Sequence, residues 1–400
     1  MHLSPFSKRI EAVSLSPTIA LNAKAAALRA AGRNVISFAV GEPDFPTPAP
    51  VIERARESLA AGRTKYGTAG GGASLRQAIA AKLMRENELR YSAEQIVVGM
   101  GAKELLFHAF LSLLNDGDEV LIPSPFWVSY ADQVLAAGGR PVVIPVPNRF
   151  PESAFDLDAI AKFATDRTVA IVLNSPNNPA GYMYTDRELR SLGEYLRDKP
   201  WWILTDEIYQ YLAFEHSHVS ILNVFPEFED RTLYFNGLSK AFAMTGFRVG
   251  YAAGPKAAIQ HITNLQSHSS TCLPGFIEDA AIVAIEGGKI SMMNEIAVLR
   301  GRRDLICELF LQYPILRFVK PQGAFYLFLD VREVLAEGAR KGPKTSLELC
   351  EVLLSEYLVA AVPGEAFGTP GFLRLSYATS EANLREGITR ILRCLGLIPG

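Results

Sequence analysis

Short apolar runs that end abruptly in polar or helix-breaking residues set the strongest limit on how this chain can fold. QIVVGMG, EVLIPSP, RPVVIPV, VAIVLNSP, WWILTDE and TLYFNGLS each hold a strand-length core and stop at Gly, Pro, Ser, Asn or Asp. Helical patterns such as AKELLFHAFLSLLN, FDLDAIAKFAT and TDRELRSLGEYLRD lie between several of them. Strands that are apolar on both faces and alternate with helices require a mostly parallel sheet covered on both sides, an α/β fold. Ligands of such sheets sit at the carboxyl ends of the strands. The polar tips NSPNNP, TDEIY and NGLSK follow strand cores directly, so a site is expected there.

From about Gly287 the pattern changes. The charged helical stretch ISMMNEIAVLRGRRDLICELFLQ leads to the alternating FYLFLDV, the helix SLELCEVLLSEY, the strand-like FLRLSYA and a last helix EANLREGITRILRCL. This reads as a smaller α+β domain over 289–400, joined by an N-terminal arm over 1–45, with the large domain spanning 46–288. EGARKGPKT reads as a surface loop.

With 49% hydrophobic and 20% charged residues among 400, the chain is long enough for a large core and more than one domain. Forty basic against forty-two acidic residues leave a formal charge of −2, with no block of like charge to suggest nucleic acid or a membrane surface. Cys272, Cys307, Cys350 and Cys394 are widely spaced and read as small apolar residues of a reducing compartment. MHLSPFSKRIEAVSLSPT lacks the unbroken apolar run of a signal peptide, and no window reaches a membrane span. The expected location is cytoplasmic. The pair His216 and His218 has no third ligand at a metal-binding spacing and reads as a solvated loop. Gly70 to Gly72 lack the Walker pattern and read as a loop at the mouth of a site.

The segment NGLSKAFAMTGFRVGY is small and apolar, yet it holds Lys240 and Arg248. A buried cation needs an anionic partner or loses its proton, so the segment is either a surface loop or an anion site. Together GEPDF, KYGTAGG, NSPNNPAG, TDEIY, SKAFAMTGFRVGY and FLRLSYA, in this order and over nearly the whole chain, resemble the class I pyridoxal-phosphate-dependent aminotransferases of fold type I, above all the bacterial aspartate aminotransferases. The resemblance implies a large domain on a seven-stranded, mostly parallel sheet. It also implies pyridoxal 5'-phosphate as cofactor, amino acid and 2-oxo acid as substrates, and a homodimer with shared active sites.

Residue by residue, the resemblance makes Lys240 the Schiff-base lysine and general base, a role that suits a flexible amine of lowered pKa. Asp206 would hold the pyridine nitrogen protonated, and Tyr209 would donate to the ring's phenolic oxygen. Read alone, Asp206 is as well a helix cap and Tyr209 a core residue. Arg248 would pair with the phosphate beside Ser239, while Gly101, Ala102 and Lys103 would turn a helix N-terminus towards it. At Gly237 many relatives carry a further phosphate-binding hydroxyl, so that contact is absent here or made by backbone. Trp127, rather than Phe126, would cover the ring, and Asn178 would lean from the same ring oxygen towards the substrate carboxylate. Arg374 would grip that carboxylate as a bidentate fork, with Gly41 offering backbone to it. Tyr66 would reach across the dimer to the neighbour's phosphate.

The substrate is less constrained. Aspartate with 2-oxoglutarate is the nearest reading, but Ser14 stands where relatives that use prephenate carry lysine, and LQSHSSTCLPG has no counterpart of the distal-carboxylate arginine of animal-type enzymes. Aromatic amino acids, kynurenine and alanine are alternative donors, and a lyase or oxidase on the same scaffold is an alternative reaction. The ligand-sensing half of a transcription regulator is disfavoured, because GEPDF begins at Gly41 and leaves too little chain for a DNA-binding module.

Overall fold

The computed structural model describes residues 6–15, 17–145, 156–338 and 342–399. Part of the first residues read above for a signal peptide (1–5 and 16) and of the loop EGARKGPKT (339–341) therefore lies outside the described residues. Seven strands form the main sheet: Ile96–Met100 (β1), Glu119–Pro123 (β2), Arg140–Ile144 (β3), Thr168–Asn174 (β4), Trp202–Asp206 (β5), Thr232–Gly237 (β6) and Val249–Ala253 (β7). They lie in the order β1-β7-β6-β5-β4-β2-β3. Only β7 runs against its neighbours; the remaining pairings are parallel. The α/β reading is therefore correct. The six apolar runs are six of the strands, and β7 is hidden in the sequence because Gly250 interrupts its apolar pattern.

Successive strand residues serve opposite layers, as the period of two requires. Val98, Ile171 and Ile203 pack on one face against Ile79, Leu83, Leu192 and Ile277. Val97, Val172 and Leu204 pack on the other against Leu105, Phe110, Val134 and Ile262. Helix ends follow local rules. In Asp186–Leu196 the Thr185 hydroxyl accepts from the Glu188 N–H while Glu188 accepts from the Thr185 N–H at 2.8 Å, a reciprocal cap.

A second, antiparallel sheet is built from Arg317–Phe318 (β8), Tyr326–Asp330 (β9), Val362–Pro363 (β10) and Phe372–Ser376 (β11), in the order β10-β11-β9-β8. Helices Met293–Leu311, Ser346–Ser355 and Glu381–Cys394 supply Leu299, Ile306, Leu349, Leu353, Leu384 and Ile388 to its core. The single helix read over 290–312 starts instead with a 3-10 turn, Lys289–Met292. Ile36–Ser37 pairs in parallel with Val359–Ala360, which fastens the early chain to this second body. On the strength of that pairing we propose the division into an arm and part of the small domain (1–45), a large domain (46–288) and the rest of the small domain (289–400).

Gly99 and Gly250 face each other across β1 and β7, and a Cβ on Gly250 would fall directly onto the backbone of Gly101 and Ala102. The strand pair can therefore lie under the start of helix Ala102–Leu113 only with glycine at 250. Gly250→Ala is expected to lower stability by about 3 kcal/mol or more through overpacking against backbone that cannot yield, read as a lower urea midpoint.

Candidate active site

A cavity of about 440 Å³ opens where the carboxyl ends of β1, β4, β5 and β6 meet the second body. Lys240, Asp206, Tyr209, Gly101, Ala102, Lys103, Trp127, Asn178, Ser239, Arg248, Gly41 and Arg374 all line it. Twelve of the thirteen residues singled out from sequence thus converge on one space. Tyr66 does not: it is 90% exposed and lies in a different depression with Arg63 and Gly67.

Lys240 follows β6 and is half-buried, with Nζ donating to the Gly41 carbonyl at 2.5 Å. Burial brings its amine down to about 8; Glu42 opposes the shift, and Arg374, Arg248 and Lys103 add to it. Asp206 ends β5. Its Oδ2 accepts from the Tyr130 hydroxyl at 2.6 Å and its Oδ1 from the Ile208 N–H at 3.2 Å. Burial nevertheless lifts the carboxyl to about 6. Asp206 does not cap the 3-10 turn that follows, Gln210–Leu212, whose N-cap is Tyr209. Burial also pushes the Tyr209 phenol well up, and its hydroxyl lies 3.0 Å from that of Tyr326.

Gly101 has φ +87°, and a Cβ there would come within 2.6 Å of Arg248 Nη2, so the chain turns into the Ala102 helix with the guanidinium packed against it. Arg248 itself adopts φ +58° and donates to the carbonyls of Thr245 at 2.9 Å and Met100 at 3.2 Å. Ser239 is buried beside Lys240. A Cβ on Gly237 would lie 2.7 Å from the Val249 carbonyl, so glycine at this position answers to the β6–β7 backbone pairing. Trp127 lines the cavity edge-on to Tyr130, with Lys103 Nζ 4.8 Å from its ring centre. Phe126 is buried away from the cavity, under Gly368.

Arg374, in the middle of β11, is fully buried. It donates to Asn178 Oδ1 at 3.1 Å and to the Ala39 carbonyl at 2.8 Å, while its Nε is buried with no hydrogen-bond partner. The Asn178 N–H donates to Asn174 Oδ1 at 3.0 Å, and Asn174 Nδ2 donates to the Asp206 carbonyl at 2.9 Å. One chain of bonds therefore joins the guanidinium to the end of β5.

Lining residues not singled out from the sequence include Tyr130, Asn174 and Tyr326. Asn174 was within reach, since it ends a strand core in NSPNNP; the two tyrosines look like core residues until the fold brings them to the cavity. Two readings need correction. His218 is not in a solvated loop: its side chain is buried and its Nε2 lies 2.8 Å from Glu207 Oε2, because Glu207, pointing away from Asp206 along the strand, needs partners and finds them in His218, Ser220 and Thr205. His216 is exposed. Gly70 to Gly72 do not rim the cavity; φ of +80° and +94° at Gly70 and Gly71 lets them pack under Thr263 and Val98, where Gly70 accepts from the Val98 N–H. Among the described residues no group of three potential metal ligands occurs. All four cysteines are free; Cys307 and Cys350 are buried and Cys272 and Cys394 half-buried.

The chain matches the family model described as aminotransferase class I and II over residues 33–391. It is 38% identical over 392 residues to the aspartate aminotransferase of Streptomyces avermitilis, covering 97% of this chain and 96% of that one. It is 41% identical to the probable aspartate/prephenate aminotransferase of Aquifex aeolicus, covering 97% and 98%. Among solved structures it is similar to the Rhizobium meliloti aspartate aminotransferase, with a TM-score of 0.92 and 37% identity over 99% of both chains. It is also similar to the Thermus thermophilus aspartate aminotransferase with maleate, with a TM-score of 0.90 and 38% identity over 98% of this chain and 100% of that one.

The raised Asp206 carboxyl has a consequence for stability. With a native pKa of about 6 and an unfolded value of about 3.9, the folded state binds this proton more tightly than the unfolded chain. Ionisation of Asp206 thus costs stability as pH rises from about 4 to above 6, on the order of 2–3 kcal/mol in full. In protein stripped of any bound cofactor, Asp206→Asn is expected to be more stable than the parent at pH 8, the gain vanishing by about pH 4. Thermal unfolding of both proteins across this pH range checks it.

Proposed function

The chain belongs to the class I and II aminotransferases, and from that premise we propose that it binds pyridoxal 5'-phosphate and moves the amino group of L-aspartate to 2-oxoglutarate. The observation that carries this reading is the convergence of Lys240, Asp206, Arg248 and Arg374 on one cavity. These residues fit a phosphorylated pyridine aldehyde. Arg248, Ser239 and the Gly101–Lys103 helix start form a cradle for a phosphate. Asp206 supplies a carboxylate for a ring nitrogen, Tyr209 a hydroxyl for the ring oxygen, and Trp127 an aromatic face. Arg374, with its buried and unpartnered Nε, has donor capacity left for a carboxylate.

The cofactor, when bound, supplies an aldehyde carbon that condenses with amines and a ring that takes up the electron pair left at a substrate α-carbon. Lys240 is suited to both parts of the protein's task. Its amine, brought to about 8, is nucleophilic near neutral pH, and once released it serves as the base that moves the α-proton. Asp206 keeps a proton on the ring nitrogen, and Tyr209 steadies the ring oxygen. Arg374 and Asn178 hold the α-carboxylate so that the α C–H faces Lys240. Donor and acceptor use the same site in turn, so ping-pong kinetics are expected.

The dicarboxylic substrate class is supported by the names of the relatives and by one further cation. Lys103 lines the cavity beside Trp127, and its ammonium is free for a second carboxylate while its backbone belongs to the phosphate cradle. We also propose a cytoplasmic homodimer in which Tyr66 completes the neighbour's phosphate site. The 90% exposure of Tyr66, with Ile52, Leu59 and Met84 exposed in the same part of the chain, supports a covered surface.

Two expected outcomes follow. Stoichiometric aspartate should convert the visible absorption of the bound cofactor to its amine form, whereas Lys240→Ala should abolish both the initial band and the turnover. Conversion by tyrosine or alanine but not aspartate would redirect the substrate. Lys103→Gln should raise KM for aspartate about tenfold while leaving KM for an aromatic donor nearly unchanged, measured by steady-state kinetics.

A further inference from the structure

We propose that Tyr326 is a positioning residue acting on two groups of the site at once, with its hydroxyl orienting Tyr209 and its ring orienting Arg374. The proposal rests on the cofactor reading above. Tyr326 begins β9 in the second body, whereas Tyr209 lies just beyond β5 in the main sheet. Their hydroxyls are 3.0 Å apart, and the rings meet edge to face with centres 5.9 Å apart. The Arg374 guanidinium carbon stands 4.5 Å from the Tyr326 ring centre. Tyr326 is 1% exposed. A Cβ on Gly41 would stand 3.1 Å from the Tyr326 hydroxyl, so the space for this hydroxyl depends on glycine at 41.

Proton counting fixes the sense of the tyrosine contact. A phenol has one proton to give. When the Tyr209 proton points at the ring oxygen of the cofactor, the Tyr326 hydroxyl must donate and Tyr209 must accept. Accepting a bond makes Tyr209 a stronger donor and removes its freedom to rotate. A donor to the ring oxygen favours the form in which that oxygen carries negative charge. Loss of the Tyr326 hydroxyl therefore moves the pH midpoint of the bound cofactor upwards.

The ring has a separate task. It lies against one side of the guanidinium, with Phe367 at 5.1 Å as a further aromatic neighbour. A cation held over an aromatic face gains attraction and loses orientational freedom, so the fork of Arg374 stays aimed into the cavity. Because Tyr326 and Arg374 belong to the same sheet while Tyr209 lies just beyond a strand of the other, one side chain ties the substrate grip to the cofactor's ring oxygen.

The test uses holoenzyme of the parent, Tyr326→Phe and Tyr326→Leu, with two readouts: the pH titration of the cofactor's visible band and KM for the amino donor. Tyr326→Phe should raise the spectral midpoint by about half a pH unit and leave KM within about twofold, with an unchanged melting temperature. Tyr326→Leu should show the same spectral shift together with a KM raised about tenfold. An unchanged midpoint in Tyr326→Phe overturns the orientation of Tyr209, and an unchanged KM in Tyr326→Leu overturns the orientation of Arg374. A parent enzyme without any lysine-dependent visible band would overturn the underlying cofactor reading instead, and this outcome is distinguishable because it appears before any substitution at 326.

Discussion

Positive charge gathered at one place, and partly withdrawn from water, is the constraint to which the rest of the site answers. Lys103, Lys240, Arg248 and Arg374 line a single cavity in which Asp206 and Glu42 are the carboxylates. Such an assembly is tolerable only if each cation finds neutral acceptors or yields its proton. Backbone carbonyls provide much of the answer: Gly41 accepts from Lys240, Ala39 from Arg374, and Thr245 and Met100 from Arg248. Carbonyls cannot neutralise a charge, and the remaining repulsion together with burial depresses the lysine amine. The same imbalance favours an anion in the cavity.

Topology explains why these groups meet. Asn174, Asp206 and the NGLSK turn follow the carboxyl ends of parallel strands, which all open at one edge of the sheet. β7 runs the opposite way, so its amino end reaches that edge, and Arg248, the residue before it, arrives beside the helix start at Gly101. An all-parallel sheet would have carried Arg248 to the far side. Arg374 comes from the second sheet and meets the cavity beside the segment of Ala39 and Gly41, whose carbonyls accept from Arg374 and Lys240 respectively.

Legibility in the sequence followed the same physics. Strands buried on both faces announce themselves as apolar runs, and residues at their ends are marked by the sudden change to polar character; Asp206, Asn178 and Lys240 were readable for this reason. Tyr130 and Tyr326 were not, because a tyrosine within a helix or strand looks like core and only the fold reveals that its hydroxyl meets Asp206 or Tyr209. His218 was misjudged since its partner Glu207 lies eleven residues away and is buried by the strand. The glycines at 70 and 71 declared a need for unusual backbone without saying where it would point. Tyr66 is a case of another kind, because its meaning depends on a second chain.

Conflicts between local preference and global fold concentrate at sites of function. In the core of the main sheet the buried strand residues are mostly apolar, and the buried Glu207 is met by Thr205, His218 and Ser220. Buried polar atoms without partners occur elsewhere too, Arg76 Nε and Tyr91 Oη among them, but the cavity gathers three strained groups in one place: an arginine nitrogen without an acceptor, a carboxyl raised to about 6 by burial, and a lysine amine brought down to about 8. In the proposed reading the first is met by the substrate carboxylate and the other two by the ring nitrogen and aldehyde carbon of the cofactor. A stabilising sequence would have filled the cavity with apolar side chains, so the retained imbalance records selection for binding rather than for stability.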